Sequence, residues 1–524
     1  MSHLPVLPFL LPLLAAAALL LLDRAPLAAR RAVALAATAA GLVLASLLVA
    51  RASSGTISVY AIGDWPPPYG IVLVVDRLAA LMVLLVFLLA LAAQLMATGA
   101  VERAGRHFHA LFQLQLAGLA GAFLTGDLFN LFVCFEILLL ASYALLVHGL
   151  GAERARAGLL YVGLNLVGST VFLVAIALLY GTLGTLTLAD MALRLPDLPA
   201  DSVAPARAGL VLLTLVFLLK AALLPLGFWL PHVYAAAAAP VAALFALMTK
   251  VGIVALLRVS VLAFGDAPAA ERLFEPWLPL LALLTIALGT AGAFAARRLA
   301  VVAANLVVIS SGTLLFAAAR GGAEATAALL FYLPHTTLVT GGFFLLTGAI
   351  ALGRGADADR LVRGPVLAGR SALSLAFLVL AIAAAGLPPL SGFLAKLMLM
   401  QAAGGAWQAA WWAVLLLSGL GVTMVLARVA STLFWEPAGR ADAPVASRRT
   451  GPAGAVALAL AVAASPAMTA AAAPVSGFAR AAARQLHDRG PYLEAVLAGH
   501  GAGRRAPADI LREPRPGPSV LPEP

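Results

Sequence analysis

The stretch VFLLKAALLPLGFWLPHVYAAAAAPVAALFALMTKVGIVALLR, residues 216–258, decides how this chain folds. Each of its two apolar runs is long enough to cross a bilayer, and each contains a lysine, Lys220 or Lys250. A charged side chain at the centre of a membrane costs about 2.5–3.5 kcal/mol even on the most lenient insertion scale. The stretch therefore predicts two membrane-spanning segments that carry functional ionisable groups.

Lysine is confined to apolar runs of this kind. Of the 34 basic side chains, 31 are arginine and three are lysine, and the third lysine, Lys396, also lies in an apolar run. An ammonium group can release its proton in an apolar environment, whereas a guanidinium group cannot. The three lysines are therefore candidates for groups that titrate inside the membrane.

The composition is that of a polytopic membrane protein. The mean hydropathy is +1.02 and 63% of the residues are hydrophobic, against roughly 45–50% in a soluble domain. The net charge of +11 does not indicate nucleic-acid binding, because most arginines lie in short loops where they set topology. The single cysteine, Cys134, lies in an apolar run, which excludes a disulfide framework or a cysteine-based zinc site.

Fourteen apolar stretches have the length of a transmembrane helix, so we predict an all-α polytopic fold. The first lacks the basic region of a signal peptide and is expected to remain as a span. Segment 183–195 is too short to span and is expected to form an interfacial helix. The predicted spans are 4–22, 27–50, 71–97, 108–125, 128–149, 157–180, 207–230, 239–263, 277–296, 298–319, 325–351, 372–400, 409–434 and 452–472.

Arginine is concentrated in the loops that follow odd-numbered spans. By the positive-inside rule these loops are predicted to be cytoplasmic and both termini to lie outside. The odd-numbered loops hold Arg24, Arg30, Arg31, Arg103, Arg106, Arg154, Arg156, Arg297, Arg298, Arg354, Arg360, Arg363, Arg370, Arg440, Arg448 and Arg449. The even-numbered loops hold only Arg51, Arg194, Arg207, Arg272 and Arg320.

Polar residues near span ends are expected to have structural roles. Asp76 and Arg77 are predicted to be interfacial, Arg258 to anchor the topology, and Asp127 to cap a helix. Four histidines at span ends are also expected to be interfacial: His107, His109, His148 and His232.

The C-terminal tail after the last span has two parts. The amphipathic segment 478–499, FARAAARQLHDRGPYLEAVLAG, is expected to lie on the membrane or on a partner. Residues 503–524 are rich in proline and arginine and are predicted to be disordered.

Helix-breaking residues lie near the middle of the seventh and twelfth spans. Irregular backbone persists at membrane depth only inside protein or beside water, and paired broken helices are typical of inverted-repeat transporters. The two broken spans are five apart, so five-helix units built around them would have opposite orientations. The breakers are Pro225 and Pro231 after Lys220, and Pro388, Pro389 and Gly392 before Lys396. They free the carbonyl groups of Ala221, Ala384 and Ala385.

Glu136 is the carboxylate most deeply placed in an apolar run, DLFNLFVCFEILLLASYALL, residues 127–146. Lys220 is its candidate partner. Closing a Glu–Lys pair would hold the lysine protonated, and opening it would favour proton release. The alternative is a static ion pair that only joins two helices.

Three further groups extend this series. Lys250 in the eighth span is a candidate relay, with a lysine bonded to helix carbonyls as the alternative. His335 lies in FYLPHTTLVTGGFFLLTG, residues 331–348, and is either a proton carrier or a packing residue. Lys396 follows the break of the twelfth span. The sequence has no Walker A loop, dinucleotide-binding glycines, metal-ligand spacing or haem pair, so the energy must come from an ion gradient or a partner.

Five motifs together resemble the antiporter-like membrane subunits shared by respiratory complex I and the multisubunit cation/proton antiporters. They are GDLFNLFVCFEILLLASYALL, FLLKAALLPLGFWLPHVY, LFALMTKVGIVALLR, FYLPHTTLVTGGFFLLTG and AGLPPLSGFLAKLMLM. Within that group the chain is most similar to the D subunits of bacterial multisubunit sodium/proton (Mrp-type) antiporters. Its Pro225-Leu226-Gly227 lacks the histidine that complex I relatives often carry after the first proline.

This resemblance implies inverted repeats at spans four to eight and nine to thirteen. It implies a coupling pair of Glu136 and Lys220, a relay through Lys250 and His335, and Lys396 on the exit side. The expected units are 1–106, with three helices; 107–264 and 265–436, the two repeats; 437–472, the last helix; and 473–524, the tail.

The resemblance also implies partners and a location. The partners would be the A, B, C, E, F and G subunits of the antiporter in a bacterial inner membrane, with protons and sodium or another monovalent cation as cargo. No cofactor, metal or enzymatic reaction is expected. The alternatives are a proton-pumping subunit of complex I or of a membrane hydrogenase, and a structural subunit whose charges join helices.

Overall fold

The computed structural model describes residues 3–497 except 66, 68, 266, 275–276, 365–366, 403 and 436–449. The described part is mostly helical, and eleven of its helices are long and apolar enough to cross a membrane. The chain is therefore a multi-pass membrane protein. The disorder predicted for 503–524 lies outside the described residues.

The helices follow the predicted spans closely. Short π-helical turns, Val259–Phe264 and Ser431–Trp435, extend α11 and α17. The α-helices are α1 Leu7–Leu21, α2 Leu27–Ser53, α3 Arg77–Ala97, α4 Phe108–Leu124, α5 Leu128–Leu146, α6 Ala152–Leu183, α7 Leu188–Arg194, α8 Ala200–Lys220, α9 Leu230–Ala236, α10 Ala239–Phe245, α11 Met248–Arg258, α12 Trp277–Ala295, α13 Leu299–Arg320, α14 Ala323–Arg354, α15 Arg370–Ala385, α16 Ser391–Gln401, α17 Gln408–Ala430, α18 Pro452–Ala470, α19 Ala472–His487 and α20 Arg489–Leu497.

Three predicted spans coincide with helices that are apolar but shorter than the rest. They are the first, fourth and twelfth spans, at α1, α4 and α15. The total of fourteen spans therefore stays a prediction. The short segment after the sixth span forms α7, as expected for a piece that cannot cross the membrane.

A two-stranded sheet corrects the all-α prediction. Strand β1, Ser58–Ala61, pairs antiparallel with β2, Val72–Val75, between α2 and α3. The sequence predicts a third span from residue 71, but its helix begins at Arg77. The cause is Asp76, whose carboxylate caps α3 by accepting from the Ala79 N–H at 2.7 Å.

Both expected helix interruptions are present. The seventh span stops at Lys220 and resumes at Leu230, and the twelfth stops at Ala385 and resumes at Ser391. A side chain at Gly392 would lie against the Ala383 carbonyl oxygen, so the second break requires glycine there. The eighth span is interrupted as well, between α10 and α11, without a proline to mark it.

The helices divide into a buried centre and an exposed rim. The eighth span, Ala239–Phe264, is entirely enclosed and α13 nearly so. By contrast, only about a third of the residues of α2, α6 and α18 are buried. Lys250 therefore lies in the centre of the bundle, on a span that is enclosed by other parts of the chain.

The loops after odd-numbered spans meet one another on one face. Arg106 binds Asp23 at 2.7 Å, which joins the loops after the third and first spans. Arg298 binds Glu153 and also Asp359, the latter at 2.9 Å, which brings three further segments together. The described loops after the first, third, fifth, ninth and eleventh spans thus form one surface, the arginine-rich face, and the side of the membrane on which it lies stays a prediction.

Asp76 and Arg258 form a buried ion pair on the opposite face, which corrects the interfacial placement expected of Asp76 and the topology-anchor role expected of Arg258. Arg258 Nη2 lies 2.7 and 2.8 Å from the two Asp76 carboxylate oxygens, and Arg258 also donates to the Phe123 carbonyl. The two side chains are only 5% and 6% exposed. The pair joins the third and eighth spans, which the sequence does not connect by any local pattern.

Of the four histidines expected to be interfacial, two are buried and two are not. His109 and His148 are buried, and their ring nitrogens contact the Glu102 carboxylate at 3.1 Å and the Val101 carbonyl at 2.9 Å. Their predicted interfacial placement is therefore wrong, because these polar contacts let both rings lie inside the protein. His232 is exposed and His107 partly exposed, as expected for interfacial residues.

The amphipathic C-terminal segment packs on this chain, which corrects the expectation that it lies on the membrane or a partner. Helix α19 buries its small apolar residues against α14 and α3. Gln485 accepts from the Arg77 N–H at 3.0 Å and donates to the Gly55 carbonyl at 2.9 Å. His487 contacts Thr326 at 2.9 Å. The tail therefore connects the first helices to the eleventh span.

We predict that Asp76→Ala destabilises the protein by about 3–5 kcal/mol, because it leaves the buried Arg258 guanidinium without its partner. The measurement is the thermal unfolding midpoint of the purified protein in detergent. The control is Asp197→Ala, an exposed carboxylate near α8 that should change stability by less than about 0.5 kcal/mol. Equal midpoints for the two variants would contradict a structural role for this pair.

Candidate functional site

Glu136 lies halfway along α5 on the face that points away from the bundle. Phe129, Val133 and Leu140 are exposed on the same face, and Glu136 itself is partly exposed. Its carboxylate accepts a hydrogen bond from the Ser169 hydroxyl of α6. The carboxylate is therefore held at the edge of an apolar surface, with a polar contact toward the interior.

Lys220 is the last residue of α8, at the point where the seventh span breaks. Its side chain is buried, and Nζ donates to Asn165 Oδ1 at 2.7 Å. Nζ also lies 5.7 Å from the centre of the Phe135 ring. Within the described part of the chain no hydrogen bond or ion pair joins Lys220 to Glu136, so the direct pair suggested by the sequence is not formed in this structure.

Helix α6 connects these two groups. Asn165 holds Lys220 and Ser169 holds Glu136, and the two residues are one turn apart on the same helix face, about 6 Å along the axis. A side chain at Gly168 would lie 2.8 Å from Leu219 Cδ2, so glycine lets α6 pack closely against the end of α8. The arrangement is a charged pair separated by one helix turn of neutral polar groups.

The polar residues of α6 are part of the site that sequence reasoning missed. Asn165 also donates to the Tyr161 carbonyl at 2.8 Å, and the Tyr161 hydroxyl lies 3.1 Å from the Ser142 hydroxyl. The available signal is the spacing of Tyr161, Asn165 and Ser169, which recur every fourth residue in an otherwise apolar span. Such a spacing lines one face of a helix with polar groups.

Lys250 in α11 contacts α13. It is fully buried, and Nζ donates to the Ser310 hydroxyl of α13 at 2.8 Å. A side chain at Gly252 would lie 2.7 Å from the Phe217 carbonyl oxygen and 3.0 Å from Lys220 Cβ. Glycine therefore lets α11 approach the end of α8 closely, which brings the helices of Lys220 and Lys250 into contact.

His335 lies in the middle of α14 and faces the second break. Its Nδ1 is 2.8 Å from the hydroxyl of Ser391, the first residue of α16, and that hydroxyl is 2.7 Å from Ser465 of α18. The histidine is thus connected to a short chain of hydroxyl groups. Ser391 gives no functional signal in the sequence, because serine is common at helix starts.

Lys396 returns to the break that precedes it. Nζ donates at 2.7 Å to the carbonyl of Ala385, the last residue of α15, which is one of the carbonyls expected to be freed by the prolines. A small cavity of about 30 Å³ is lined by Lys396 and His335. Its polar lining also includes Thr313, Tyr332 and Ser418.

These contacts form three polar clusters. The first contains Glu136 and Lys220, the second Lys250, and the third His335 and Lys396. Every lysine donates to an uncharged oxygen. Such groups can hold and exchange protons. In the part of the chain that the structure describes, no group of three or more histidine, cysteine or acidic side chains is arranged to hold a metal ion.

Comparisons with known proteins agree with this architecture. The family model of the NADH:quinone oxidoreductase/Mrp antiporter transmembrane family matches residues 125–425. The probable K(+)/H(+) antiporter D subunit of Rhizobium meliloti is 41% identical over 470 residues, which cover 83% of this chain and 87% of that protein. The Na(+)/H(+) antiporter D subunit of Bacillus subtilis is 34% identical, with coverages of 83% and 87%.

The fold is also similar to that of a solved complex. A chain of the Mrp complex from Dietzia sp. DQ12-45-1b has a TM-score of 0.83 and 29% sequence identity, and the match covers 95% of this chain and 99% of that chain. The match extends beyond the residues of the family model, so the agreement includes the N-terminal helices. The chain therefore belongs to the NADH:quinone oxidoreductase/Mrp antiporter transmembrane family, and to the group of antiporter D subunits within it.

Proposed function

We propose that this chain is the proton-translocating D subunit of a multisubunit antiporter that exchanges sodium, or another monovalent cation, for protons. The observation that carries the proposal is the set of three lysines, each donating to an uncharged oxygen inside a membrane protein that otherwise uses arginine. The relatives named as Na(+)/H(+) and K(+)/H(+) antiporter subunits support the reaction class. Sodium and potassium are therefore the two cations to test.

The coupling step uses the separation of Glu136 and Lys220. With its ammonium on Asn165, Lys220 has a neutral partner in a poorly solvated site, where the charged form is disfavoured. Movement by one helix turn toward Glu136 would give it an opposite charge and hold its proton. Asn165 and Ser169 position the two ends of this movement. Glu136, on the exposed face of α5, is where a neighbouring subunit can change the balance.

Protons would then pass between the two halves of the chain. Lys250 contacts Ser310 across the interface of the halves, and the cavity of the second half lies between His335 and Lys396. After each proton transfer the lysine again donates to an uncharged acceptor. The path therefore returns to its starting state after every proton. Lys396 is the last group on this route. The break at Pro388, Pro389 and Gly392 keeps the Ala385 carbonyl available to Lys396, and the break at Pro225 ends α8 at Lys220.

The proposed architecture comprises fourteen membrane spans with inverted repeats at spans four to eight and nine to thirteen. The units are those expected from the sequence: 1–106, 107–264, 265–436, 437–472 and 473–524. The arginine-rich face would be cytoplasmic in a bacterial inner membrane, with both termini outside. The partners would be the A, B, C, E, F and G subunits of the antiporter, together with membrane lipid.

The second candidate is a proton-pumping subunit of a redox complex such as complex I. The matched family includes NADH:quinone oxidoreductase subunits as well as Mrp antiporters, which favours keeping this candidate. The same lysines would serve both. The two functions differ in energy source, because the antiporter works from a cation gradient and the redox complex requires electron transfer.

We predict that Lys220→Ala abolishes cation/proton exchange, because no other group can replace the ammonium beside Asn165. The measurement uses everted vesicles that contain the complete complex. A ΔpH is imposed and followed with a fluorescent amine while sodium or potassium is added. Exchange should fall to the level of vesicles without the complex.

Glu136→Gln should have the same effect while the subunits still assemble, because glutamine keeps the contact with Ser169 but not the charge. Exchange at the wild-type rate in either variant would contradict the coupling step. If neither cation dissipates the gradient but NADH drives proton uptake that Lys220→Ala removes, the redox function replaces the antiporter.

We predict that Ser169→Ala slows exchange roughly tenfold or more, because a hydrogen bond to a charged group contributes about 1.5–3 kcal/mol. The matched control is Thr170→Ala at the neighbouring, exposed position, where the hydroxyl donates only to Leu166 of its own helix. Initial exchange rates in the vesicle assay provide the comparison. Equal rates for the two variants would show that Ser169 has no part in holding Glu136.

We predict that Lys396→Arg fails to support exchange although it keeps the charge, because a guanidinium group does not release its proton. The control is Arg207→Lys in an exposed position of α8, which tests whether the protein tolerates the reverse substitution of arginine by lysine. Full activity of Lys396→Arg would assign Lys396 a static role beside Ala385.

A further inference from the structure

A second polar cavity lies far from the lysine series, on the arginine-rich face. It is formed by the end of α1, the start of α2 and the loop that leads into α4. Its empty volume, including the open mouth, is about 800 Å³. The proposed proton path does not use it, and its lining is unusually rich in charged groups.

The charge of this cavity is positive. Arg30, Arg103 and Arg106 line it, and Arg31 lies behind Glu102. The two carboxylates, Asp23 and Glu102, leave a surplus of two positive charges against these four arginines. Arg103 is exposed and has no hydrogen bond or ion pair in the described part of the chain.

The carboxylates are already occupied by this chain's own donors. Asp23 contacts Arg106 at 2.7 Å, His107 at 3.4 Å and Arg30 at 3.6 Å. The hydrogen bond from Arg106 lowers the pKa of Asp23 and keeps it ionised. Each carboxylate therefore binds and orients cationic groups around the cavity. These groups offset the repulsion between the carboxylate and an incoming anion.

Glu102 is held in the same way. Its carboxylate accepts from Arg31, from the Gly99 N–H at 2.7 Å and from His109 at 3.1 Å. Burial by itself raises the pKa of Glu102, but the hydrogen bonds from Arg31 and Gly99 outweigh burial and lower it. The group is thus an ionised anchor for the arginine and histidine beside it.

Donors at the cavity remain without a partner. Arg30 Nε has no hydrogen-bond partner among the described residues, and Arg103 makes no ion pair or hydrogen bond there. Helix α4 also begins here, and no side chain in the described part of the protein caps its first N–H groups. An N-terminus with unpaired donors favours an anion. Together these groups are suited to oxygens of a phosphate.

An apolar surface begins directly beside the cavity. Leu19, Leu27 and Phe108 contribute to its lining, and Leu20 is exposed at the same end of α1. A molecule with a phosphate head and hydrocarbon chains would satisfy both surfaces, whereas free phosphate would use only the first.

We propose that this cavity binds the phosphodiester headgroup of an anionic phospholipid, with the acyl chains along α1. Basic pockets between transmembrane helices on the cytoplasmic side are typical sites for anionic lipid headgroups. Arg30 and Arg103 contact the phosphate, the N–H groups at the start of α4 supply further donors, and the lipid connects the first helices to the α3–α4 loop.

The test is native mass spectrometry of the purified complete complex, delipidated and titrated with dioleoylphosphatidylglycerol or dioleoylphosphatidylcholine. The variant Arg30→Gln/Arg103→Gln should bind phosphatidylglycerol roughly tenfold more weakly than wild type, because charge-assisted hydrogen bonds are lost. The matched control, Arg24→Gln, removes one charge from the same loop outside the cavity lining and should bind normally. Phosphatidylcholine should bind weakly to all three proteins.

A single substitution covers the case in which the double variant does not assemble. Arg103→Gln changes an exposed side chain, so assembly is expected, and phosphatidylglycerol binding should still weaken several-fold. Wild-type binding by Arg103→Gln and the double variant, or equal binding of both lipids by the wild type, would overturn the proposal. Displacement of phosphatidylglycerol by excess inorganic phosphate would overturn the lipid assignment and identify free phosphate as the ligand.

Discussion

The constraint on which the structure depends is the cost of an ammonium group inside hydrocarbon. Each lysine must find an acceptor that water would otherwise supply, and helices offer few because their carbonyls are already paired. The chain meets this requirement in two ways. Lys220 and Lys250 use the side-chain oxygens of Asn165 and Ser310, whereas Lys396 uses the Ala385 carbonyl. All three acceptors are neutral, so each ammonium is accommodated without being fixed by an opposite charge.

The helix interruptions follow from the same constraint. The break after Ala385 leaves that carbonyl without a partner in its own helix, and Lys396 supplies one from the next segment. Gly392 makes this return possible because any side chain there would meet the Ala383 carbonyl. The break after Lys220 works differently, since it ends a helix at the lysine and brings the ammonium to α6. A proline-containing interruption thus exposes an acceptor, the Ala385 carbonyl, in the twelfth span. In the seventh span it places a donor, the Lys220 ammonium, at the end of a helix.

The elements that are local could be predicted from the sequence, whereas the contacts between distant segments could not. The breaks at Pro225 and Pro388–Pro389 and the cap by Asp127 follow from proline chemistry and capping, which act within a few residues. The residues of strand β2, before Asp76, are as apolar as those of a membrane span. Only the pairing with β1 identifies them as a strand. Lys250 and Ser310 are 60 residues apart, and nothing in the apolar pattern of either helix specifies which face meets the other. The amphipathic pattern of α19 likewise indicates an apolar partner, but not that the partner is α14 of its own chain.

Glu136 lies at the edge of the protein, whereas Lys220 is buried. A carboxylate buried beside Lys220 would form a stable pair that resists opening, because separating two charges in a poorly solvated interior is costly. Here the carboxylate instead lies on a partly exposed face and contacts Ser169, one helix turn from Asn165, which binds Lys220. In the proposed coupling step, a small change at the outer surface of α5 alters the partner of the buried ammonium. Glu136 shares its face of α5 with exposed apolar residues, so a neighbouring subunit that covers this face would contact the carboxylate and act on the first member of the proposed path.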